Sequence, residues 1–226
     1  MNNVNIAHSE FPEQRGGLMI CGYEWGYSKK DEQEDALGLD QQVNHDAGCT
    51  FANKMLCYGP RALKWRYDNT IMKWLGLWGH PLNRSDPGSF EKSIVQTNWC
   101  NTQEHSMSGD YSKLHDPEQI DNFIWHINYF RPRVVLFMGS RLIDALQAPA
   151  VRNKFEEIAG KCMKEASAKQ KPFDGRRFKF VFQSFERCEV IGLPHPSSSH
   201  GISDEYIKLF SDEMGSLLQG FRLWLG

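Results

Sequence analysis

Asp116-Pro117-Glu118-Gln119-Ile120-Asp121-Asn122-Phe123-Ile124-Trp125-His126-Ile127-Asn128-Tyr129-Phe130-Arg131-Pro132-Arg133-Val134-Val135-Leu136-Phe137-Met138-Gly139 holds a helix, its stop and a strand in unbroken succession. Asp116 is a capping residue, Pro117 is pre-set for the first helical position, and Glu118 complements the positive end of the helix. Ile120, Phe123, Ile124, Ile127 and Phe130 recur with the period of one buried helix face. Pro132 ends the helix. The run from Val134 to Met138 is apolar at every position and closes on Gly139, so it predicts a strand buried on both faces.

Working outward, the same pattern recurs. Gly17-Leu18-Met19-Ile20-Cys21-Gly22 is a second short apolar run bounded by turn formers, and Ser93-Ile94-Val95-Gln96-Thr97-Asn98 a third. Pro60 opens a predicted helix to about Leu75, with Leu63, Tyr67, Ile71, Trp74 and Leu75 at helical spacing. After Gly139 a helix is predicted from Ser140 to about Gln147 and another from about Ala150 to Lys169. Phe178–Phe182 and Glu189–Leu193 read as strands, and a last helix starts near Ser203 with Tyr206, Phe210, Leu217 and Phe221 on one side. Strands alternating with helices predict a single-domain α/β fold, a three-layer sandwich with a mainly parallel central sheet. Residues 1–15 read as an N-terminal tail and 16–226 as the domain.

The chain of 226 residues can bury one sizeable core. No segment approaches the roughly 18 consecutive apolar residues of a membrane span, and the polar start lacks the layout of a signal peptide. A cytoplasmic location is therefore expected, with all six cysteines as reduced thiols. They include no Cys-x-x-Cys pair, which argues against structural zinc or an iron–sulfur cluster; no metal or cofactor is expected. The formal net charge of −2 argues mildly against nucleic acid, but a DNA-binding protein needs only one positive face. Arg61, Lys64, Arg66 and Lys73 near one predicted helix, and Arg141 at the start of another, are candidates for that face. A solvated helix surface is the alternative.

Ligands of open α/β sheets bind beyond the carboxyl ends of the strands. Three such ends are unusual here. The first is Gly22-Tyr23-Glu24-Trp25-Gly26, an acid between two glycines. The second is Thr97-Asn98. The third is Leu193-Pro194-His195-Pro196-Ser197-Ser198-Ser199-His200-Gly201, a histidine between prolines followed by donors suited to a phosphate. Gly139 before Ser140 offers a further phosphate cradle. Each has a plainer reading: a tight turn, a capping asparagine, a surface loop. His195 with His200 as a metal pair lacks further ligands.

Taken in order, these segments resemble the uracil-DNA glycosylase superfamily. Gly22–Gly26 is similar in outline to the family's Gly-x-(Asp/Asn)-Pro-(Tyr/Gly) motif, and Thr97-Asn98 to its base-reading asparagine. Arg131–Gly139 resembles its Arg-Pro strand, and His195-Pro196-Ser197 its late His-Pro-Ser motif. The serine run and Gly26 resemble the mismatch-specific thymine/uracil branch. The resemblance spans residues 18 to about 210. The departures are Glu24 for aspartate or asparagine, Trp25 for proline, and the absence of both the cluster cysteines and the usual wedge residue, for which His200 or Ile202 would have to serve.

The resemblance implies a monofunctional, metal-free hydrolase acting on DNA as a monomer, with no membrane partner. It cuts the N-glycosidic bond of a flipped-out base and leaves an abasic site. In it Glu24 and His195 are catalytic. Gly22, Tyr23, Trp25, Gly26 and Asn98 bind the base, while Ser197, Ser198, Ser199 and His200 bind DNA. Gly26 stands where a tyrosine crowds the 5-position in uracil-specific relatives, and the polar stretch 27–59 follows it. Uracil or a 5-modified pyrimidine, such as a hydroxymethylated or glucosylated base of phage DNA, is the expected substrate, for repair or anti-phage defence. Two rivals remain at this point: a non-catalytic nucleic-acid or nucleotide-binding protein on the same fold, and a hydrolase using Cys21 or Cys100.

Overall fold

A computed structural model describes residues 6–26, 33, 36, 43–44, 47–104, 110–173, 175, 178–197 and 201–225. The elements in chain order are β1 (Leu18–Gly22), β2 (Trp25–Gly26), α1 (Met55–Tyr58), α2 (Arg66–Leu77), α3 (Ser89–Ser93), β3 (Ile94–Asn98), β4 (Gln103–Glu104), α4 (Pro117–Phe130), β5 (Val134–Met138), α5 (Ser140–Leu146), α6 (Pro149–Ala159), β6 (Cys162–Lys169), β7 (Phe180–Phe185), β8 (Glu189–Leu193), α7 (Asp204–Lys208) and α8 (Ser211–Leu225).

Six strands form one sheet in the order β3-β1-β5-β8-β7-β6. The first four run parallel, and β7 and β6 join antiparallel. Each parallel strand is buried along nearly its whole length because it feeds two cores. Met19, Cys21, Val95, Val135, Phe137 and Val190 face α4, α5 and α6. Leu18, Ile20, Ile94, Leu136, Met138 and Ile191 face α2, α7 and α8. Period-two alternation thus sends successive apolar residues into opposite layers, which is the three-layer α/β sandwich expected from the sequence. Asp116 caps α4, its Oδ1 accepting from the Glu118 N–H at 3.2 Å, and Arg131 closes it with a φ of 45° before Pro132.

Four expectations need correction. The helix predicted to run to Lys169 stops at Ala159, where Gly160 takes φ +83°; the remainder is the edge strand β6, paired with β7. That strand is exposed along most of its length, so burial imposed no alternation that a sequence reading could detect. The helix from Pro60 is divided into a 3-10 turn, Pro60–Lys64, and α2, because Trp65 between them is extended. The last helix is likewise divided into α7 and α8. The cysteines are not all thiols: Cys49 and Cys57 form a disulfide, while Cys21, Cys100, Cys162 and Cys188 do not. Among the described residues no helix is long and apolar enough to cross a membrane.

Residues 6–15 are packed against the outer edge of β3. The Ala7 N–H donates to the Gln96 carbonyl, and the Gln96 N–H donates to His8 Nε2 at 3.2 Å. His8 Nδ1 lies 3.1 Å from the Ser9 carbonyl, which requires a neutral ring with its proton on Nδ1. Burial, aided by the charge of Lys54, pushes His8 down to about 3. Lys54 is itself buried, bonded to Asp68 at 2.7 Å and to Gln96 Oε1. On the other side of β3, burial pushes His126 down to about 4, beside the Thr97 hydroxyl.

Both imidazoles titrate lower folded than unfolded, so the unfolded chain takes up protons first below pH 6.5 and the folded state loses stability as pH falls toward 4. At up to about 1.4 kcal/mol per pH unit for each group, the loss between pH 6.5 and 4.5 is on the order of 4 kcal/mol. Urea unfolding at the two pH values measures it, and His126→Gln is expected to remove about half of the dependence. A midpoint that does not move contradicts the assignment.

Candidate active site

The register of β1 on β3 sets Gly22 directly beside Asn98 at the carboxyl ends of the two strands. The chains continue side by side: the Trp99 N–H donates to the Gly22 carbonyl at 2.9 Å and the Cys100 N–H to the Tyr23 carbonyl at 2.8 Å. The Trp25 N–H then donates to the Thr102 carbonyl, where β2 pairs parallel with β4. Trp99, stacked on Phe123 at 4.0 Å between centroids, anchors this second run in the core. Glu24 therefore lies next to Thr102.

Glu24 is held asymmetrically. Its Oε2 accepts from the Thr102 hydroxyl at 2.8 Å and from Lys113 Nζ at 3.3 Å. Its Oε1 is buried and has no partner among the described residues. The side chain is only 4% exposed. A buried carboxylate oxygen left unpaired costs free energy, and such atoms in folded proteins call for an explanation, a bound ligand or water being the commonest.

His195 follows β8 by two residues, at the same end of the sheet. Its Nδ1 accepts from the Ser197 N–H at 3.2 Å, so in the neutral ring the proton sits on Nε2. Its ring stacks on Tyr23, with centroids 5.9 Å apart and planes 15° apart, and is tilted against Tyr67 at 5.6 Å. Burial between these rings holds its pKa below the ordinary imidazole value.

The structure thus brings Gly22, Tyr23, Glu24, Asn98 and His195 to one end of the sheet. A Cβ on Gly22 would overlap Asn98 Oδ1 and lie 3.2 Å from the Tyr67 hydroxyl, so the residue must lack a side chain. Tyr23 fills the turn at Gly139: a Cβ there would overlap its ring, and its hydroxyl accepts the Arg141 N–H at 3.2 Å. Tyr23 therefore occupies the predicted phosphate cradle, and burial pushes its hydroxyl up to about 12. Trp25 is half-buried on β2, and Gly26 is exposed with nothing within 4 Å of where a Cβ would stand. Ser197 spends its N–H on His195. Ser198, Ser199 and His200 lie outside the described residues, as does most of 27–46.

Sequence reasoning missed Tyr67, Thr102 and Lys113. Tyr67 was legible only as one apolar position of a helix face, and nothing marks Thr102 or Lys113 without the folded loops. Of the basic residues, Lys73 is paired with Asp204 and Arg141 with Asp144, whereas Lys64 and Arg66 are exposed. Asp68 lines a separate cavity of about 340 Å³ with Lys54, Met72 and Arg84, and none of the predicted site residues borders it. Burial, with Cys100 alongside, raises the Cys21 thiol well above its usual value, which argues against a thiolate nucleophile there.

No protein-family model matches this chain, and neither does any curated protein.

The two glycines that flank Glu24 make opposite demands on space. Gly22→Ala is expected to cost about 1–3 kcal/mol through overpacking against Asn98. Gly26→Ala, which meets open space, is expected to stay within about 0.5 kcal/mol of the parent. Paired urea melts decide it, and equal midpoints would refute the reading of the Gly22–Asn98 contact.

Proposed function

We propose that this chain is a DNA glycosylase that hydrolyses the N-glycosidic bond of a flipped-out pyrimidine and leaves an abasic site. The observation that carries the reading is the presence, at one sheet end, of a buried carboxylate oxygen without a partner among the described residues and an imidazole whose Nε2 bears the proton. Breaking this bond sends an electron pair to the base and leaves cationic character on the sugar, so catalysis needs a donor at a base oxygen and an anion near the sugar. His195 Nε2–H serves as the donor. Glu24 Oε1 orients a water molecule, which adds to C1′, and takes its proton; Oε2 is occupied by Thr102 and Lys113. Asn98 offers a donor and an acceptor to the edge of the extruded base. Because Gly26 leaves its neighbourhood open, the substrate class includes pyrimidines with a polar 5-substituent, hydroxymethylated or glucosylated, as well as uracil.

The test is release of base from duplexes carrying uracil, 5-hydroxymethylcytosine or its glucosylated form, read as alkali-labile strand breaks. Glu24→Gln and His195→Ala should each slow turnover by about a hundredfold or more while the proteins remain folded. Gly26→Tyr should suppress excision of the 5-substituted bases selectively. Full turnover in both catalytic variants would remove the mechanism, and release of no base by the parent protein would remove the reading.

Two solution dependences go with it. Since His195 acts neutral and is held below the ordinary imidazole value, activity should persist as pH is lowered through 6.5 and fall only at more acid pH. A loss already complete at pH 6.5 would contradict this. DNA affinity should decline steeply with salt despite the near-neutral net charge, and a flat response would argue against a phosphate-gripping face.

A further inference from the structure

A second buried oxygen without a partner lies in the same site and has no part in the chemistry above. The Tyr67 hydroxyl, supplied by α2 from the opposite side of the sheet end, is buried and makes no hydrogen bond among the described residues. It is 3.2 Å from the point a Cβ on Gly22 would occupy, and Asn98 Oδ1 crowds that same point. The Tyr67 ring leans on His195. The Asn98 amide oxygen and the Tyr67 hydroxyl therefore converge on one point beside Gly22, and the Tyr67 ring links that point to His195.

We propose that Tyr67 is a specificity-determining residue, whose hydroxyl bonds a polar atom on the same edge of the extruded base that Asn98 reads. The inference rests on the glycosylase reading. A hydroxyl can both donate and accept, and an amide can do the same. The pair therefore demands two polar partners side by side on the ligand. A base that presents only one leaves the other group buried and unpaired, and discrimination of this kind is strong because the unmet group carries a desolvation cost. Burial, with the Asp68 charge nearby, raises the Tyr67 pKa well above its usual value, so the group keeps its proton.

The geometry makes a prediction with opposite signs. With no ligand bound, the Tyr67 hydroxyl is a liability, so Tyr67→Phe should leave the melting temperature unchanged or raise it by a few degrees. With ligand bound, the same variant loses a bond. Its kcat/KM on the best base of the panel above should fall about 10- to 100-fold.

A binding measurement separates recognition from turnover. In a Glu24→Gln background, Tyr67→Phe should weaken binding to base-bearing duplex by about tenfold or more and leave binding to an abasic-site duplex unchanged. A parent protein that releases no base, with Glu24→Gln binding base-bearing and abasic duplexes alike, would bring down the glycosylase reading and this inference with it. A parent that releases base, with Tyr67→Phe matching it in kcat/KM and in base-bearing affinity, would overturn the Tyr67 assignment alone. So would a lowered melting temperature, because the hydroxyl would then have a partner in the free protein.

Discussion

The parallel pairing of β1 with β3 is the constraint on which the site depends. Its register, from Leu18 on Ile94 to Gly22 on Asn98, leaves no freedom in where the two strands end. A shift of one residue would turn every side chain of β3 to the opposite face, burying Gln96 and Asn98 among apolar groups and lifting Val95 out of its core. Both layers enforce the register, because alternate residues of β1 are fully buried on opposite sides. The hydrogen bonds that continue past the strand ends, from Trp99 and Cys100 to Gly22 and Tyr23, carry this alignment into the loops. Glu24 meets Thr102 for that reason.

Polar atoms buried without partners are rare in folded proteins because each costs about 1–3 kcal/mol. Two of them, Glu24 Oε1 and the Tyr67 hydroxyl, stand at this one sheet end. Three more such atoms among the described residues lie elsewhere, on Arg61, His80 and Glu213. His8 and Gln14 both donate to the Ser9 carbonyl, and His8, Gln96, Lys54 and Asp68 continue the connected set along β3, down to a lysine only 4% exposed. Tyr23 closes the turn at Gly139, stacks on His195 and so stiffens the site.

The helix and strand of 116–139 were legible because capping, proline placement and a uniformly apolar run each follow from local chemistry. The two-sided burial of the sheet was legible for the same reason. The division of the helix near Trp65 and the strand nature of 162–169 were not. An exposed edge strand has no face to hide, so its residues carry no period, and a pattern reading extends the preceding helix through it. The Cys49–Cys57 bond was equally out of reach, since eight residues of sequence separation do not say whether the intervening chain folds back.

In the candidate site, Glu24, Asn98 and His195 were recognisable by residue type and by position after a strand. The sequence by itself determined that an acid, an amide and an imidazole follow three buried strands, because strand ends are marked by glycine, proline and the end of an apolar run. Only the tertiary structure decided which oxygen of Glu24 is held and which is open, and that Tyr67 joins the site from α2. Those properties belong to contacts between segments 40 or more residues apart, such as Glu24 with Thr102 and Lys113. Side-chain hydrogen bonding at that range is set by how layers pack, and the order of residues along the chain does not encode it locally.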